Sequence, residues 1–372
     1  MQVTITAKVK IKPTTEQATL LQDTLYAYRH GCNFASALVF ETRQLVQTTL
    51  HRLTYKSLRG QFRLRSQMAQ SVLKTVIARY RSLKSNSHDW TKVRFKKPEY
   101  DLVWNRDYSL TKGLFSINTL EGRVKVPFET KGMEPYFDGS WVYGTAKLVY
   151  KYGKFFLHIP MTKEIEPACE EHINQVVGID VGINFVAVSY DSQGKSLFFT
   201  GKTIKNKRSH YKYLRKQLQQ KGTASARRRI KRIGQRENRW MSDVNHQVSK
   251  ALVNRYGPRT LFVIEDLKGV RVATERVRVK DRYETVSWSF HQLRQMLAYK
   301  AVLHGAKVMA VDPRYTSQAC PKCGHTEKAN RNKRTHTFCC CACQYQSNDD
   351  RIGAMNLQRI GMEYIVEVTT SV

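Results

Sequence analysis

Two Cys-x-x-Cys pairs near the C-terminal end of the sequence have the residue types and the spacing of a metal site. The pairs are Cys320 with Cys323 and Cys340 with Cys343, and 16 residues separate them. That separation is typical of two knuckles that close on one tetrahedral zinc ion. Cys339 could be a ligand in a shifted register, but only the pair that begins at Cys340 keeps the Cys-x-x-Cys spacing.

Three carboxylates occupy positions that suit a second kind of metal site. Asp180 and Glu265 each end an apolar run, and Asp350 begins a segment with helical periodicity. Mg²⁺ prefers oxygen ligands and keeps part of its water shell, so three acids suffice to hold two ions for phosphodiester hydrolysis. Taken singly, each acid is better explained as the cap of a turn or helix. Their order, the cysteine pairs and the net charge together favour a nuclease site, although the residue types do not separate Asp349 from Asp350.

The charge balance of the chain indicates the class of partner. Its 372 residues carry 63 Lys and Arg against 30 Asp and Glu, a formal net charge of +33. Such an excess opposes compaction unless a polyanion neutralises it, which favours nucleic acid as the partner. A solvated basic surface or a membrane-binding patch is the alternative, but apolar and aromatic residues are interleaved with the charges.

The clustering of the cysteines and the absence of long apolar runs indicate the cellular compartment. Six of the eight cysteines lie between Cys320 and Cys343, which indicates metal binding in a reducing compartment rather than a disulfide framework. No apolar run approaches the ~20 residues of a membrane span, and the first residues do not have a signal-peptide pattern. We therefore expect a cytoplasmic protein without a membrane partner.

Periodicity in the first half predicts a β-rich domain with a helical insertion. Apolar and polar residues alternate over residues 3–11, which predicts a strand. A capping box at Thr14 opens a helical pattern that runs to about residue 47, and helical periodicity returns over 67–83. Period-two patterns with short turns over 102–160 predict a small antiparallel barrel or sandwich that includes the first strand.

The second half alternates strand and helix signals around the acids. In order, these are strands at 175–180, 185–190 and 196–199, a basic helical stretch at 209–254 broken near Gly222, a strand at 260–265, a helix at 291–304 and a strand at 306–311. That order is typical of an RNase H-like domain, a mixed central sheet with helices on its faces.

The predicted fold class is α+β multidomain. A β-barrel (wedge) with a helical insertion precedes an RNase H-like (RuvC) α/β domain, which carries an inserted zinc ribbon. The predicted boundaries are 1–13 and 93–165 for the barrel, 14–92 for the helical insertion, 171–314 and 347–372 for the nuclease domain, and 315–346 for the ribbon.

Four blocks of this sequence surround the acids and the first cysteine pair, namely Gly178 to Asn184, Val263 to Gly269, Tyr315 to Gly324, and Asp350 with Ala354 to Leu357. They resemble the signature blocks of the TnpB (OrfB) family of bacterial insertion sequences, whose members are similar to ancestors of type V CRISPR effectors. Further likenesses at Lys8 to Pro13, Phe95 to Lys97 and Asn245 to Ser249 extend the resemblance over nearly the whole chain. It implies an RNA-guided DNA endonuclease. A guide RNA from the transposon's own end would pair with double-stranded DNA beside a short motif that the protein reads, and a RuvC-type site would cut the DNA.

The resemblance also assigns roles to individual residues. The family's catalytic positions fall on Asp180, Glu265 and Asp350, which would hold two Mg²⁺ ions. Its zinc positions fall on Cys320, Cys323, Cys340 and Cys343, around one structural Zn²⁺. We expect the protein and its guide RNA to form a monomeric ribonucleoprotein.

The chain departs from the family pattern at the helix that carries the third acid. Ile352, Gly353 and Ala354 stand where the family usually has Asn-Ala-Ala, and glycine should weaken that helix by about 1 kcal/mol. No departure removes a catalytic acid, which weighs against a guided DNA-binding regulator that does not cleave. An RNase H-like DNA transposase is a further alternative because such enzymes also use three acids. We expect Asp191 and Asp266 to face solvent.

Candidate nucleic-acid contacts fall in two helical stretches. Basic residues that suit the backbone of an RNA–DNA heteroduplex are Arg227, Arg228, Arg229, Lys231 and Arg232, with a solvated helix face as the alternative. By family analogy, the helix over 67–79 faces the target-adjacent motif, where Gln70 and Lys74, together with Gln67 and Thr75, could read base edges. Plain surface polarity is the alternative for these residues. A polar, charged segment at 269–287 is interpreted as a lid over the acids.

Overall fold

The computed structural model describes residues 1–130, 132–166, 168–266 and 290–370. It divides into two compact units, which we call the N-terminal unit (Gln2–Glu164) and the C-terminal unit (Ile165–Val372, with Met1). The predicted lid at 269–287 lies outside the described residues. Across the described ranges, every helix is too short or too polar to cross a bilayer.

The N-terminal unit is built on an antiparallel half-barrel sheet. Its strands are β1 (Gln2–Ile11), β2 (Glu99–Leu102), β3 (Tyr108–Thr111), β4 (Leu114–Thr119), β5 (Gly122–Val126), β6 (Phe128–Glu129), β7 (Val142–Tyr143), β8 (Ala146–Lys151) and β9 (Lys154–Glu164). The half-barrel has the order β2-β8-β9-β1-β6, with β7 also on β9, and β3, β4 and β5 form a separate small sheet. The first strand joins this sheet as predicted, because β1 pairs with β9 over its whole length. No pairing among the described residues joins β2 to β6, so the predicted barrel is an open one.

Three helices lie between β1 and β2. They are α1 (Thr15–Thr42), α2 (Gln47–Gly60) and α3 (Ser66–Ser85). The capping box at Thr14 is confirmed, since its hydroxyl accepts from the backbone N–H of Gln17 and the Gln17 side chain accepts from the Thr14 N–H. The expected continuous periodicity to residue 47 is wrong, because α1 ends at Arg43 in a left-handed conformation. Helix α2 escaped detection because it buries only a narrow stripe of Leu50, Thr54 and Leu58.

The C-terminal unit contains a five-stranded mixed sheet. Its strands are β10 (Gln175–Asp180), β11 (Phe185–Asp191), β12 (Ser196–Thr200), β13 (Thr260–Glu265) and β14 (Lys307–Val311), in the order β12-β11-β10-β13-β14. The strands β10, β11 and β12 form an antiparallel meander, while β13 runs parallel to both β10 and β14. All five strand predictions are thereby confirmed to within two residues at each end.

Helices cover both faces of this sheet. They are α4 (Lys202–Lys221), α5 (Ala224–Tyr256), α6 (Phe290–Leu303) and α7 (Asp349–Thr370). The predicted break in the basic helical stretch is confirmed at Gly222, which adopts φ +62° between α4 and α5. Val177, Ile179 and their neighbours on β13 pack against α5 and α6, whereas Val176 and its neighbours pack against α7. Alternate residues of each central strand therefore face opposite helical layers.

The cysteine-containing segment forms a small three-stranded ribbon between β14 and α7. Its strands are β15 (Arg331–Asn332), β16 (Thr337–Cys339) and β17 (Gln346–Asn348), in sequence order. Phe338 of the ribbon packs against Ile352 of α7 together with the buried cysteines Cys320 and Cys340. This apolar contact attaches the ribbon to the helix that carries Asp350. The two-unit division lies at Glu164, and the finer domain boundaries given above stay a prediction.

Asp191 corrects one sequence expectation. It is buried rather than solvent-facing, and its Oδ1 accepts hydrogen bonds from the backbone N–H groups of Gln193 and Lys195 at 3.0 and 2.9 Å. The turn after β11 thus satisfies the carboxylate, which removes the penalty for burying it. Asp266 is half-buried and pairs with Arg294.

Candidate functional site

Strand register brings the first two candidate acids together. Strands β10 and β13 run parallel with Ile179 opposite Ile264, so the next pair in the same register is Asp180 and Glu265. Parallel neighbours lie about 4.8 Å apart. Because Ile179 and Ile264 both face the α5 and α6 layer, alternation turns the two acids toward α7 at the carboxyl ends of their strands.

Helix α7 supplies the third acid and approaches the sheet closely because three glycines permit it. A Cβ on Gly178 of β10 would lie 2.0 Å from the backbone oxygen of Ala354, and one on Gly361 would lie 2.5 Å from Val263. A Cβ on Gly353 would lie 3.0 Å from Cγ of Asp180. The first turn of α7, with Asp350, therefore rests directly against the strand that ends in Asp180.

Burial and neighbouring negative charge raise the pKa values of these carboxylates. Burial raises the pKa of Asp180 well above its ordinary value, and the negative charges of Glu265 and Asp350 raise it further. Burial also raises the pKa values of Glu265 and Asp350, and Asp349 adds to the effect on Asp350. Clustered, partly desolvated acids of this kind are costly without a compensating cation.

One buried carboxylate oxygen among these acids has no hydrogen-bond partner in the part of the chain that the structure describes. Asp350 is 7% exposed, and within the described ranges its Oδ2 finds no hydrogen-bond donor. Its Oδ1 lies 3.7 Å from Nη2 of Arg331. An orphaned carboxylate oxygen among further carboxylates matches the all-oxygen donor set that Mg²⁺ prefers. Among the described residues, the group whose ligand atoms already lie close enough to hold one metal ion is formed by four cysteines and not by these acids.

A hydrogen-bonded chain fastens Glu265 to the ribbon and to α7. The hydroxyl of Thr316 donates to Oε1 of Glu265 at 2.5 Å. The buried side-chain amide of Asn356, on α7, donates to the backbone oxygens of Thr316 and Ala319 at 2.7 and 2.8 Å. Asn356 belongs to one of the sequence blocks described above, and its amide fastens that block to the segment that carries Thr316.

Arg331 and Asp349 form a part of the site that sequence reasoning missed. Asp349 is fully buried, and Nε of Arg331 donates to its Oδ2 at 2.8 Å. The pKa values of Glu265 and Asp350 are raised, mainly by burial, and the positive charge of Arg331 opposes part of this rise. A single arginine gave no signal in a chain with 63 Lys and Arg. The geometry gives Asp349 a structural partner and leaves Asp350 with the open oxygen, which separates two acids that the sequence left equivalent.

Cationic and polar side chains line another side of the cluster. Asn184 contacts both Lys205 and the ring of His336. The positive charges of His336 and Lys205 act on the pKa of Asp350 in the lowering direction. Nδ1 of His336 lies 3.6 Å from Oδ2 of Asp349. These groups give the rim of the acid cluster donors that an anionic substrate could use.

The four cysteines of the predicted register lie together. Sγ of Cys320 is 3.6 Å from Sγ of Cys343, and Sγ of Cys323 is 3.5 Å from Sγ of Cys340. All four sulfurs lie within 4.8 Å of one another. Tetrahedral zinc with Zn–S bonds of about 2.3 Å requires sulfur separations of about 3.8 Å, so the cluster fits Zn²⁺. Cys339 lies outside the cluster and contacts Gln344 instead.

The candidate nucleic-acid contacts are exposed to different degrees. All five basic residues of α5, namely Arg227, Arg228, Arg229, Lys231 and Arg232, are exposed. On α3, Lys74 is exposed and Gln70 is half-buried. Thr75 is not available to contact base edges, because its hydroxyl forms hydrogen bonds with Asp101 at 2.6 Å and with Tyr28 at 2.9 Å.

Two family models match this chain. The OrfB_IS605 model, described as a probable transposase, matches residues 158–272. The model described as the Cas12f1-like TNB domain matches residues 290–357. The two matches together contain the three clustered acids, Arg331 and the four cysteines.

Curated proteins and solved structures agree with these matches. The CRISPR-associated endodeoxyribonuclease Cas12f1 of Syntrophomonas palmitatica is 25% identical over 282 residues, which cover 70% of this chain and 55% of that protein. The putative RNA-guided DNA endonuclease InsQ of Escherichia coli K12 is 28% identical over 226 residues, 56% of this chain and 54% of that protein. This chain thus spans about half the length of the curated relatives it matches. A solved Cas12f1–sgRNA–target DNA complex has a protein chain of similar fold, with a TM-score of 0.58 at 11% identity over 96% of this chain and 99% of that one.

Proposed function

Because the chain belongs to the TnpB (OrfB) family, we propose that it is an RNA-guided DNA endonuclease whose metal-dependent RuvC-type site hydrolyses the target. The observation that carries the proposal is the register of β10 and β13. It sets Asp180 beside Glu265 at the carboxyl ends of parallel strands, on the face where α7 presents Asp350. The strand order, with an antiparallel meander followed by two parallel strands, supports an RNase H-like assignment for this sheet.

In this proposal, Asp180, Glu265 and Asp350 hold two Mg²⁺ ions. Ions bound there would supply an activated water and stabilise the leaving oxygen. The chain's own groups position the acids: Thr316 fixes one oxygen of Glu265, and the pair of Arg331 with Asp349 anchors the start of α7. Lys205 and His336 offer positive charge or N–H donors to the phosphate that approaches the acids.

The zinc ribbon has a structural role in the proposal. Cys320, Cys323, Cys340 and Cys343 would hold one Zn²⁺, and the ribbon packs on α7 beside Asp350. Metal binding would then stabilise the same segment that carries Thr316 and Arg331. Loss of the ion should therefore disturb the acid site as well as the ribbon.

The proposed partners are a guide RNA from the transposon's own end and a double-stranded DNA target. A net charge of +33 and the exposed arginines of α5 suit the phosphates of a heteroduplex. Lys74 and Gln70 of α3 are proposed to face the target-adjacent motif. We expect a monomeric ribonucleoprotein in the cytoplasm, with a mass that corresponds to one protein chain and one RNA.

The test combines guided cleavage with a matched acid control. Protein would be produced together with the RNA that its own locus encodes, loaded with a chosen guide, and incubated in Mg²⁺ with plasmids that carry randomised target flanks. We expect cleavage beside one enriched motif for the wild type and for Asp243→Asn, because Asp243 is an exposed acid on α5. Asp180→Ala should bind the target and leave it intact.

Each other result has a defined meaning. Guide-dependent binding without cleavage by the wild type would identify a DNA-binding regulator. Cleavage or strand transfer without RNA would favour a transposase. Cleavage by Asp180→Ala at the wild-type rate would remove that carboxylate from the reaction.

A further inference from the structure

Tyr315 presents an aromatic ring to solvent beside the acid cluster. The residue is 63% exposed. It immediately precedes Thr316, whose hydroxyl holds Glu265. Consecutive Cα atoms are about 3.8 Å apart, so the ring is anchored within roughly one nucleotide's length of the acids. Single exposed rings are common on protein surfaces, but this ring is held by a hydrogen-bonded turn and lies next to an exposed arginine.

The backbone at Tyr315 is fixed in a conformation that a bulky residue rarely adopts. Its φ is +64°, in the left-handed region that costs a non-glycine residue free energy. The Tyr315 carbonyl accepts from the N–H groups of Gln318 and Ala319 at 2.9 and 3.0 Å. The next carbonyl, that of Thr316, accepts from the buried amide of Asn356. The ring thus projects from a rigid turn that is tied on one side to Glu265 and on the other to α7.

The charges around this turn suit a nucleic-acid strand. The preceding residue, Arg314, has a side chain that is 82% exposed and only loosely paired with Asp312 at 3.6 Å. Lys205, which is half-buried, places positive charge near Asp350, and Nδ1 of His336 lies 3.6 Å from Oδ2 of Asp349. An aromatic ring beside cations is the arrangement that binds single strands, because the ring stacks on a base while the cations meet phosphates. Bases inside a duplex already stack on their neighbours on both faces, so the ring suits a base with a free face, such as an unpaired one.

We propose that Tyr315 is a stacking platform for one unpaired nucleobase of the DNA strand that enters the acid site. The proposal rests on the proposed function, since it assumes that DNA is the strand cut there. Stacking on a base next to the scissile phosphate would fix the position of that phosphate against Asp180, Glu265 and Asp350. The contact would be tolerant of sequence, because every base offers a π-face.

Two substitutions at Tyr315 distinguish the effect of the aromatic ring from the effect of the left-handed backbone. Tyr315→Phe keeps the stacking surface. Tyr315→Asn removes the ring but suits the left-handed backbone, so it should not lower the melting temperature. Tyr152→Asn is the matched control, because Tyr152 is also left-handed, at φ +54°, and 64% exposed, but it lies in the turn between β8 and β9.

The cleavage assay uses guide-loaded protein under single-turnover conditions. We expect Tyr315→Asn to lose about 5- to 150-fold in rate, the range for one lost base–aromatic stack, while Tyr315→Phe and Tyr152→Asn stay within about twofold of the wild type. A single abasic site, scanned along the cut strand, should slow the wild type at one position and should not slow Tyr315→Asn any further there. Full activity of Tyr315→Asn would overturn the proposal. The proposal would also be overturned if the rate losses from Tyr315→Asn and from the abasic site multiplied, as the losses from two independent contacts do.

A direct binding assay decides the question even if no guided cleavage occurs. Single-stranded oligonucleotides with one 2-aminopurine would be bound to the wild type and the variants in Ca²⁺. Fluorescence should be quenched by the wild type, Tyr315→Phe and Tyr152→Asn, but not by Tyr315→Asn. A wild type that quenches without cutting guided targets would reject the proposed function and keep the stacking site. Equal fluorescence for all variants would reject the site.

Discussion

Replacing Gly353 by alanine should stabilise α7 and slow cleavage at the same time. Alanine is better than glycine in a helix interior by about 1 kcal/mol. The new Cβ, however, would lie 3.0 Å from Cγ and 3.2 Å from Oδ2 of Asp180, whereas ordinary contacts begin near 3.4 Å. The Asp180 carboxylate must therefore withdraw by roughly 0.4 Å, the difference between 3.4 and 3.0 Å.

The expected magnitudes follow from that displacement. Asp180 ends its strand, so its side chain can rotate away, and most of the gain in helix stability should survive as an increase of up to about 1 kcal/mol in the free energy of unfolding. A misplacement of 1 Å costs about 100-fold in rate, so 0.4 Å should cost about sixfold if the logarithm of the rate falls linearly with distance. Target binding should stay unchanged.

The assay pairs urea denaturation with single-turnover cleavage at saturating Mg²⁺. Gly234→Ala is the matched control, because Gly234 lies inside α5 and no atom of the described residues stands within 4 Å of its added Cβ. The control should gain the same stability and cleave at the wild-type rate. If Gly353→Ala also cleaves at the wild-type rate, the reasoning that couples this glycine to the position of Asp180 is refuted.

Three further predictions concern the proposed metal ligands and the buried ion pair. Cys323→Ser should lower bound zinc from about one ion per chain towards zero in elemental analysis, whereas Cys341→Ser, outside the sulfur cluster, should keep it. Arg331→Ala should cost about 3–5 kcal/mol in urea denaturation, because it leaves the fully buried Asp349 without its ion-pair partner, and a second change, Asp349→Asn, should recover part of that loss. In EDTA, the free energy of unfolding should fall as pH rises above the ordinary carboxyl range, because Asp180 has a higher pKa in the folded protein than in the unfolded chain and keeps its proton to higher pH. Asp180→Asn should flatten this dependence on pH. A pH profile of this variant identical to that of the wild type would contradict the raised pKa.

Sequence alone determined the features that depend on neighbouring residues. The spacing within and between the cysteine pairs predicted which four sulfurs lie together, because a Cys-x-x-Cys knuckle is a local structure. An apolar run followed by an acid predicted that Asp180 and Glu265 end strands, and both do. The break at Gly222 and the cap at Thr14 were predictable for the same reason, since each depends on one turn of backbone.

Expectations failed where distant segments decide the outcome. Asp191 was expected in solvent because acids usually face water. Pairing of β11 with β10 instead places it opposite Val177, where it is buried, and two N–H groups of the following turn satisfy its carboxylate. The described strands of the N-terminal unit form an open sheet, whereas a barrel was predicted. Strand periodicity could not show this difference, because it does not tell which strand edges pair. The pairing of Arg331 with Asp349 was invisible because any of the many arginines could have been the partner.

Only the tertiary structure determined the geometry of the candidate site. Parallel register sets Asp180 beside Glu265, and alternation along the strands turns both acids to the α7 face. Gly178 and Gly353 then let α7 come close enough for Asp350 to join them. The sequence specified which acids stand at the ends of elements, because that is a local property. Their meeting depends on non-local pairing and on the space that absent side chains leave, and only the assembled sheet and helix define both.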